Sequence, residues 1–317
     1  MQGKLATVFG ASGFIGRNIV RELAGRGVRV NAVCRDVERA KFLRPMGTVG
    51  QVTPMRADIT DPEAVARAVS GADVVINLVG ILHPSGRNTF EAVQATAPGT
   101  LAKAASVAGA KTFVHVSAIG ADPDSASAYA RSKAAGEAAV KAAFPSATVL
   151  RPSIVFGPDD SFFNRFASMA QMAPALPLFG GGATKFQPVY VDDVAAAALA
   201  AIDRADAAGG TYELGGPTVY SFRRLLEMML LEIRRKRALV AVPFPVASAM
   251  AAVFELLPSP PVTRDQVELL KRDNVVAADA RTLADLGIEA TPLETVLPGY
   301  MDKFRAGGRY AGGRAPA

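Results

Sequence analysis

Leu5-Ala6-Thr7-Val8-Phe9-Gly10-Ala11-Ser12-Gly13-Phe14-Ile15-Gly16 opens on an apolar run, passes three evenly spaced glycines, and continues into the helical spacing of Ile19, Val20 and Leu23. This is strand, tight turn and helix in immediate succession. Gly10 permits the turn, Gly13 lets the backbone approach a pyrophosphate, and Gly16 lets the helix pack against the strand. Unsatisfied N–H groups at the positive end of the helix favour phosphate. The stretch therefore predicts a dinucleotide site along Gly10, Ser12, Gly13, Phe14, Ile15 and Gly16.

Composition fits that reading. A chain of 317 residues, 50% hydrophobic, can bury a full α/β core and still build a second, smaller lobe. The single cysteine, Cys34, excludes an internal disulfide and a cysteine-based zinc site, and fits a reducing, cytoplasmic compartment. No metal site is expected. The first strand begins by Lys4, so no signal or transit segment is expected before it. A net charge of +6 and a pI near 9.5 imply an acidic counterpart. A phosphorylated cofactor or an anionic membrane face suits this better than nucleic acid, for which no motif is present.

The second strand, 28–34, ends at Arg35. NAD-binding versions of this unit place an acid about 20 residues beyond the glycines, on the ribose 2′-hydroxyl. Arg35 instead suits a 2′-phosphate through paired charge-assisted bonds, so NADP(H) is expected over NAD(H), with the neighbouring Asp36 arguing the other way. The third run, Val52 to Met55, leads to Asp58 and Ile59. Asp58 either accepts from the adenine amino group or caps a helix beginning near Pro62. The fourth strand, 73–80, is a near-continuous apolar run, as burial on both faces requires. Its end, Leu78, Val79 and Gly80, lies where a cofactor would pass. A long helix over 89–108 is expected next, interrupted by Pro98 and Gly99.

The fifth strand, Thr112 to Ser117, precedes Tyr129-Ala130-Arg131-Ser132-Lys133 in a helical pattern. Four-residue spacing puts the phenol and the ammonium on one helix face. An adjacent ammonium favours phenolate and lowers the tyrosine pKa, which suits a proton donor to a carbonyl undergoing reduction.

The glycine turn, Tyr129 with Lys133, and Arg151-Pro152-Ser153 together resemble the short-chain dehydrogenase/reductase superfamily in its extended or atypical branch. Leu43-Arg44-Pro45-Met46-Gly47, 162–169, 187–194, Val262-Thr263-Arg264-Asp265 and Asp285-Leu286-Gly287-Ile288 narrow the likeness. They resemble the dehydrogenase-like, NADPH-binding accessory subunit of respiratory complex I and its bacterial relatives. The resemblance covers nearly the whole chain. It implies a Rossmann-type, doubly wound parallel sheet of about seven strands with a smaller C-terminal lobe. It also implies a mainly structural NADPH, contacted additionally by Val116, Ser117, Pro152, Ser153 and Ile154, with Lys133 and Tyr129 on the nicotinamide ribose. If hydride transfer occurs, Tyr129 and Lys133 are its catalytic pair. Active members carry a serine or threonine just after strand five, and here that position counts to Ala118, one past Ser117. Losing such a donor costs about 2.7–4 kcal/mol of transition-state stabilisation. The implied partner is a respiratory complex or its assembly intermediates, reached from the cytoplasm or from the inner-membrane surface of a bacterium. The competing expectation is an active NAD(P)-dependent reductase or epimerase on a small carbonyl or nucleotide sugar.

The organisation expected is a dinucleotide-binding domain of 1–151 with 187–214, and a lobe of 152–186 with 215–305. A disordered tail follows over 306–317. Residues 174–182 read as loop, 161–172 as helix, and Asp192 or Asp193 as an N-cap. Within 223–257 the basic cluster Arg234, Arg235, Lys236 and Arg237 meets an apolar run of spanning length. Pro243 and Pro245 would break a membrane helix there. An interfacial contact with anionic lipid or an apolar partner, and two ordinary lobe helices with a solvated charged end, both fit this run.

Overall fold

The computed structural model describes residues 3–258 and 260–308; most of the tail expected to be disordered, 309–317, lies outside the described residues. In chain order, the first half contains β1 (Leu5–Phe9), α1 (Phe14–Gly25), β2 (Arg29–Cys34), β3 (Val52–Arg56), α2 (Pro62–Val69) and β4 (Val74–Asn77). It continues through α3 (Ala97–Val107), β5 (Thr112–Val116), α4 (Ala128–Ala143) and β6 (Thr148–Pro152). There follow β7 (Val155–Phe156), α5 (Phe163–Met172), β8 (Ala175–Phe179), β9 (Lys185–Phe186), β10 (Val189–Tyr190), α6 (Val191–Asp203) and β11 (Thr211–Leu214). The last elements are β12 (Tyr220–Ser221), α7 (Phe222–Glu232), β13 (Ala238–Val242), α8 (Phe244–Phe254), α9 (Arg264–Leu269) and α10 (Leu293–Met301).

Two compact units emerge. The first comprises Met1–Pro152, Val191–Leu214 and Val276–Glu289; the second comprises Ser153–Tyr190, Gly215–Val275 and Ala290–Ala317. The segment Val276–Glu289, which the sequence boundaries left with the lobe, sits with the sheet because it lies along β11. Glu213 donates its N–H to the carbonyl of Arg281 at 2.8 Å, and Tyr212 bridges Arg281.

The first unit is one parallel seven-stranded sheet in the order β11-β6-β5-β4-β1-β2-β3. All of β4 is buried, the pattern of a strand covered on both faces. Helices α1 and α6 pack together, as do α2, α3 and α4. The strand order reverses between β1 and β4, so the crevice at their carboxyl ends is the place where this fold takes a ligand.

The long helix expected over 89–108 is two elements. Glu91–Thr96 is π-helical and runs into α3, where Pro98 sits in the first turn and needs no N–H donor of its own. The wide turn lies against α4. A Cβ on Gly136 would stand 2.1 Å from the carbonyl oxygen of Gln94, so only glycine lets the two backbones meet.

Asp192 and Asp193 lie inside the first turn of α6 and not at the position before it; Asp192 pairs with Arg21 of α1 at 2.8 Å. Both groups are well exposed, so the pair adds little stability.

The second unit packs around Phe156, Phe163, Leu176, Leu178, Phe222, Leu225, Met229, Leu297 and Met301. Within it, the Tyr300 hydroxyl donates to Asp160 Oδ2 at 2.7 Å. The stretch expected as loop over 174–182 contains β8. It becomes a strand because Leu176 and Leu178 alternate into the core and β13 supplies a parallel partner along its whole length.

The apolar run likewise resolves into β13 and α8, and its prolines begin a helix instead of breaking one. Pro243 is the N-cap of α8 and Pro245 lies in its first turn. No helix among the described residues is long and apolar enough to cross a membrane.

The four-residue basic cluster is not one patch. After α7 the chain leaves through a Schellman turn, with Arg234 in the left-handed region at φ 53° and Arg235 N–H on the Leu230 carbonyl at 3.1 Å. Successive side chains then point in opposite directions. Arg235 Nε donates to the Phe304 carbonyl at 3.1 Å and Arg237 Nε to the Ala170 carbonyl at 2.8 Å, while Arg234 and Lys236 are exposed.

Candidate functional site

The glycine turn is built as its spacing requires. Gly10 has φ +80°, and N–H groups of Gly10 and Ala11 reach the Val33 carbonyl of β2 at 3.1 and 3.3 Å. A Cβ on Gly16 would lie 2.2 Å from the Gly10 oxygen, a backbone clash with nowhere to go. Gly13 is the N-cap of α1 and supplies no capping side chain. The N–H groups of Phe14 and Ile15 therefore have no intrahelical acceptor and lie at the partly exposed positive end of the helix. Ser12 stands beside them, half-buried. Arg17 folds back over the turn, with Nη2 3.3 Å from the Ser12 carbonyl and its guanidinium 5.0 Å from the Phe42 ring. The sequence reading missed this cation. Its signal was its position one turn after Gly13.

At the end of β2, Arg35 is exposed and makes no hydrogen bond or ion pair among the described residues. The adjacent Asp36 is engaged: its carboxylate accepts the N–H of Arg39 at 3.2 Å and faces the Arg39 guanidinium at 3.4 Å. At the end of β3, the carboxylate of Asp58 accepts the N–H and hydroxyl of Thr60 at 2.9 and 2.8 Å. The helix-capping role open to Asp58 belongs to Asp61, which accepts from Glu63 and Ala64 N–H. Ile59 is buried in the core with Val65 and Val69.

The exit of β4 is held from three sides. Asn77 Oδ1 accepts the Val79 N–H at 3.1 Å, and Asn77 Nδ2 lies 3.2 Å from His115 Nδ1 on β5. Gln94, from the π-helical turn, accepts the Ile81 N–H at 2.7 Å and donates to Ser132 Oγ at 3.1 Å. Ser132 in turn donates to the Tyr129 carbonyl at 2.8 Å. Leu78, Val79 and Gly80 thus run along a braced edge. Neither Asn77, His115 nor Gln94 was singled out from sequence, because no spacing rule marks a bond across strands.

Lys133 is buried, and its Nζ donates to the Val116 carbonyl at 3.4 Å. Burial pushes its pKa down from 10.5 to about 8, with Glu137 opposing the shift. Burial, and then the charge of Lys133, push His115 from 6.5 down to about 3. A Cβ on Gly80 would stand 3.3 Å from Lys133 Nζ, so a side chain there would cover the ammonium. The Tyr129 ring lies 5.9 Å from Nζ and edge-on to Phe90 at 6.0 Å.

Ser117 is buried, and its hydroxyl has no hydrogen-bond partner among the described residues; Ala118 is the half-exposed position. Pro152 ends β6 and accepts the Ile119 N–H at 3.0 Å. In the second unit, Ser153 donates to Asn274 Oδ1 at 2.6 Å and Ile154 packs on the core.

A bare helix N-terminus, a free guanidinium at the β2 end and a buried ammonium bordered by glycine fit a nicotinamide dinucleotide. A side chain at Gly13 or Gly80 would fill the space such a ligand needs.

Residues 6–215 match the model of the NAD dependent epimerase/dehydratase family. The chain is 39% identical to the Arabidopsis thaliana NADH dehydrogenase [ubiquinone] 1 alpha subcomplex subunit 9, mitochondrial, over 97% of this chain and 80% of that protein. The Mus musculus protein of the same name is 38% identical over 93% of this chain and 78% of its own length. Among solved structures, MoeE5 in complex with UDP-glucose and NAD superposes with a TM-score of 0.71 at 20% identity, covering 94% of this chain and 97% of that one. That likeness is one of fold.

Proposed function

Because the chain belongs to the NAD dependent epimerase/dehydratase family, we propose that it is a dinucleotide-binding accessory or assembly component of quinone-linked respiration, with weak or no catalysis of its own. The observation that carries this reading is the near full-length similarity to the subunit 9 proteins, which includes the C-terminal segments as well as the glycine turn. Its partner would be a respiratory complex or an assembly intermediate, met at the inner-membrane surface of a bacterium.

The cofactor proposed is NADP(H). The Phe14 and Ile15 N–H groups, with Ser12 and Gly13, would face the pyrophosphate. Arg35 would take the 2′-phosphate, and Lys133 with Tyr129 the nicotinamide ribose hydroxyls. Leu78, Val79 and Gly80 would line the passage between them. When bound, the nicotinamide offers a hydride; what this chain supplies toward a substrate carbonyl is less complete. Ser117 points its hydroxyl inward, and Ala118 has none to give. This supports a structural role for the cofactor over an active reductase or epimerase, the reading that Tyr129 and Lys133 would otherwise favour.

Affinity purification from native membranes, with co-purifying proteins identified, tests the proposal. Recovery of respiratory NADH dehydrogenase subunits is expected. Their absence, together with turnover of a small carbonyl or nucleotide sugar, would replace it with the enzymatic reading.

A further inference from the structure

Helix α8 inverts the usual arrangement of a surface helix. It buries Ala247 and Ala251 and packs Phe244 against that small cluster, yet leaves Val246, Met250 and Val253 outside. Val246, Met250 and Val253 are 49%, 39% and 64% exposed, and their spacing puts them on one face, which Leu257, 51% exposed, extends beyond the helix. Surface helices ordinarily turn that stripe toward the core. No charged residue occurs from Ala238 to Phe254, and β13 adds the exposed Val240 to the same stretch. Large apolar side chains exposed together on one helix face mark an interaction site.

The charges bordering the stretch indicate what it meets. Both flanking acids are neutralised: Glu232 lies 3.8 Å from Arg305, and Glu255 2.9 Å from Arg264. Arg234 and Lys236 are exposed and have no acidic partner among the described residues. An apolar face preceded in the chain by unpaired, exposed cations complements an anionic bilayer, whose headgroups satisfy the cations while its acyl boundary takes the side chains. On the exposed face of α8 there is almost no hydrogen-bonding group through which a protein surface would be recognised.

We propose that the α8 face docks on an anionic lipid bilayer, with the helix lying along the headgroup–acyl boundary and Arg234 and Lys236 at its border. The inference deepens the peripheral-membrane part of the function proposed above, and it commits to lipid, not a respiratory subunit, as the surface α8 touches. A helix of this length spans only about 16 Å, too short to cross and long enough to lie flat.

The test is co-sedimentation of the full chain, loaded with NADPH, with phosphatidylcholine vesicles with and without phosphatidylglycerol. The wild type is expected to bind the anionic vesicles more strongly and to be weakened by salt. A Val246→Glu/Met250→Glu/Val253→Glu variant should lower partitioning roughly tenfold or more. An Arg234→Gln/Lys236→Gln variant should lose the preference for phosphatidylglycerol, a drop of about thirtyfold at low salt. Thermal unfolding and NADPH titration keep both variants honest as folded proteins, since all five side chains are exposed. Wild-type protein that ignores both vesicle types, or an apolar triple variant that binds as the wild type does, overturns the proposal. So does a wild type that self-associates through this face without touching vesicles, or one that native membranes retain and the triple variant does not, while vesicles bind neither. Those two outcomes would assign the face to a second copy or to a protein partner. Vesicle binding without recovery of respiratory proteins would instead count against the proposed function alone.

Discussion

Asn77 on β4 and His115 on β5 are register partners, and their side chains meet at 3.2 Å between Nδ2 and Nδ1. Because Asn77 Oδ1 accepts the Val79 N–H, its amide must present Nδ2 to the ring, so His115 Nδ1 accepts and the proton sits on Nε2. Burial keeps the ring neutral, with the pKa at about 3. His115 thereby positions the β4 exit through Asn77, without reaching the ligand crevice itself.

Replacing His115 by Leu should leave the Asn77 amide unsatisfied, costing about 1–3 kcal/mol, and raise the NADPH dissociation constant several-fold by loosening Val79 and Gly80. The pH profile separates this from mere loss of packing. Between the ordinary value of 6.5 and about 3 the unfolded chain binds the extra proton, so wild-type stability falls as pH falls through that window. Denaturant melts at several pH values should show the His115→Leu variant lacking this slope; parallel profiles would remove His115 from the account.

The glycines of the turn should separate fold from ligand. In Gly16→Ala the new methyl meets the Gly10 oxygen at 2.2 Å and the Ala11 backbone at 2.8 Å, so a loss of several kcal/mol of stability is expected. In Gly13→Ala the Cβ meets only the Gly10 oxygen, at 3.1 Å, and the position is exposed. That variant should melt close to wild type and still lose NADPH affinity, because the methyl occupies the approach to the α1 N-terminus. Calorimetry and a cofactor titration on the same two proteins check both halves.

The contrast between these residues explains how much could be read from the chain. The Gly10 turn, the parallel strands and the Tyr129–Lys133 helix follow from local patterns: glycine spacing, continuous apolar runs and a four-residue period. The Asn77–His115 pair, the Gln94 brace and the division of the basic cluster depend on which strands and helices become neighbours, which no local pattern encodes. Asp58 illustrates the border. Its sequence position allowed a cap or an adenine contact, and only the start of α2 decides that Asp61 is the cap. Residues 174–182 misled in the same way, since β8 is a strand only because β13 lies beside it.

Lys133 should set a second pH dependence, above neutrality. Its pKa falls from 10.5 in the unfolded chain to about 8 in the fold, so between those values the unfolded state binds more protons and stability rises with pH. Below pH 8 the folded protein bears the whole cost of keeping a buried ammonium charged, ~3 kcal/mol at most. A Lys133→Met variant should therefore be more stable than wild type at pH 7 in the absence of cofactor, and the gap should close towards pH 10.5. The same variant should bind NADPH more weakly. A wild type as stable as the variant at pH 7 would mean that the ammonium is solvated after all.

On the proposed reading, cofactor choice would turn on Arg35 and its neighbour. Arg35 is unpaired at the β2 end, whereas the acid that would favour an unphosphorylated ribose, Asp36, is held by Arg39. A guanidinium on a phosphate makes charge-assisted bonds worth about 1.5–3 kcal/mol, so Arg35→Ala should weaken NADPH binding by about tenfold to a hundredfold and leave NADH nearly unchanged. The Asp36–Arg39 pair is largely exposed and 3.4 Å apart, so it restrains Asp36 only weakly. Arg39→Ala removes only that pair and keeps the residue-39 N–H on Asp36, so it should change NADPH and NADH affinity much less than Arg35→Ala changes NADPH affinity. Raising salt should erode NADPH binding in the wild type and much less in Arg35→Ala, since the phosphate contact is the screened one. Isothermal titration of both cofactors into the three proteins at two salt concentrations measures all of this. Equal affinity of the wild type for NADPH and NADH, or an unchanged NADPH affinity in Arg35→Ala, would move the 2′-phosphate away from Arg35 and leave Arg17, packed over the glycine turn, as the cation to examine next.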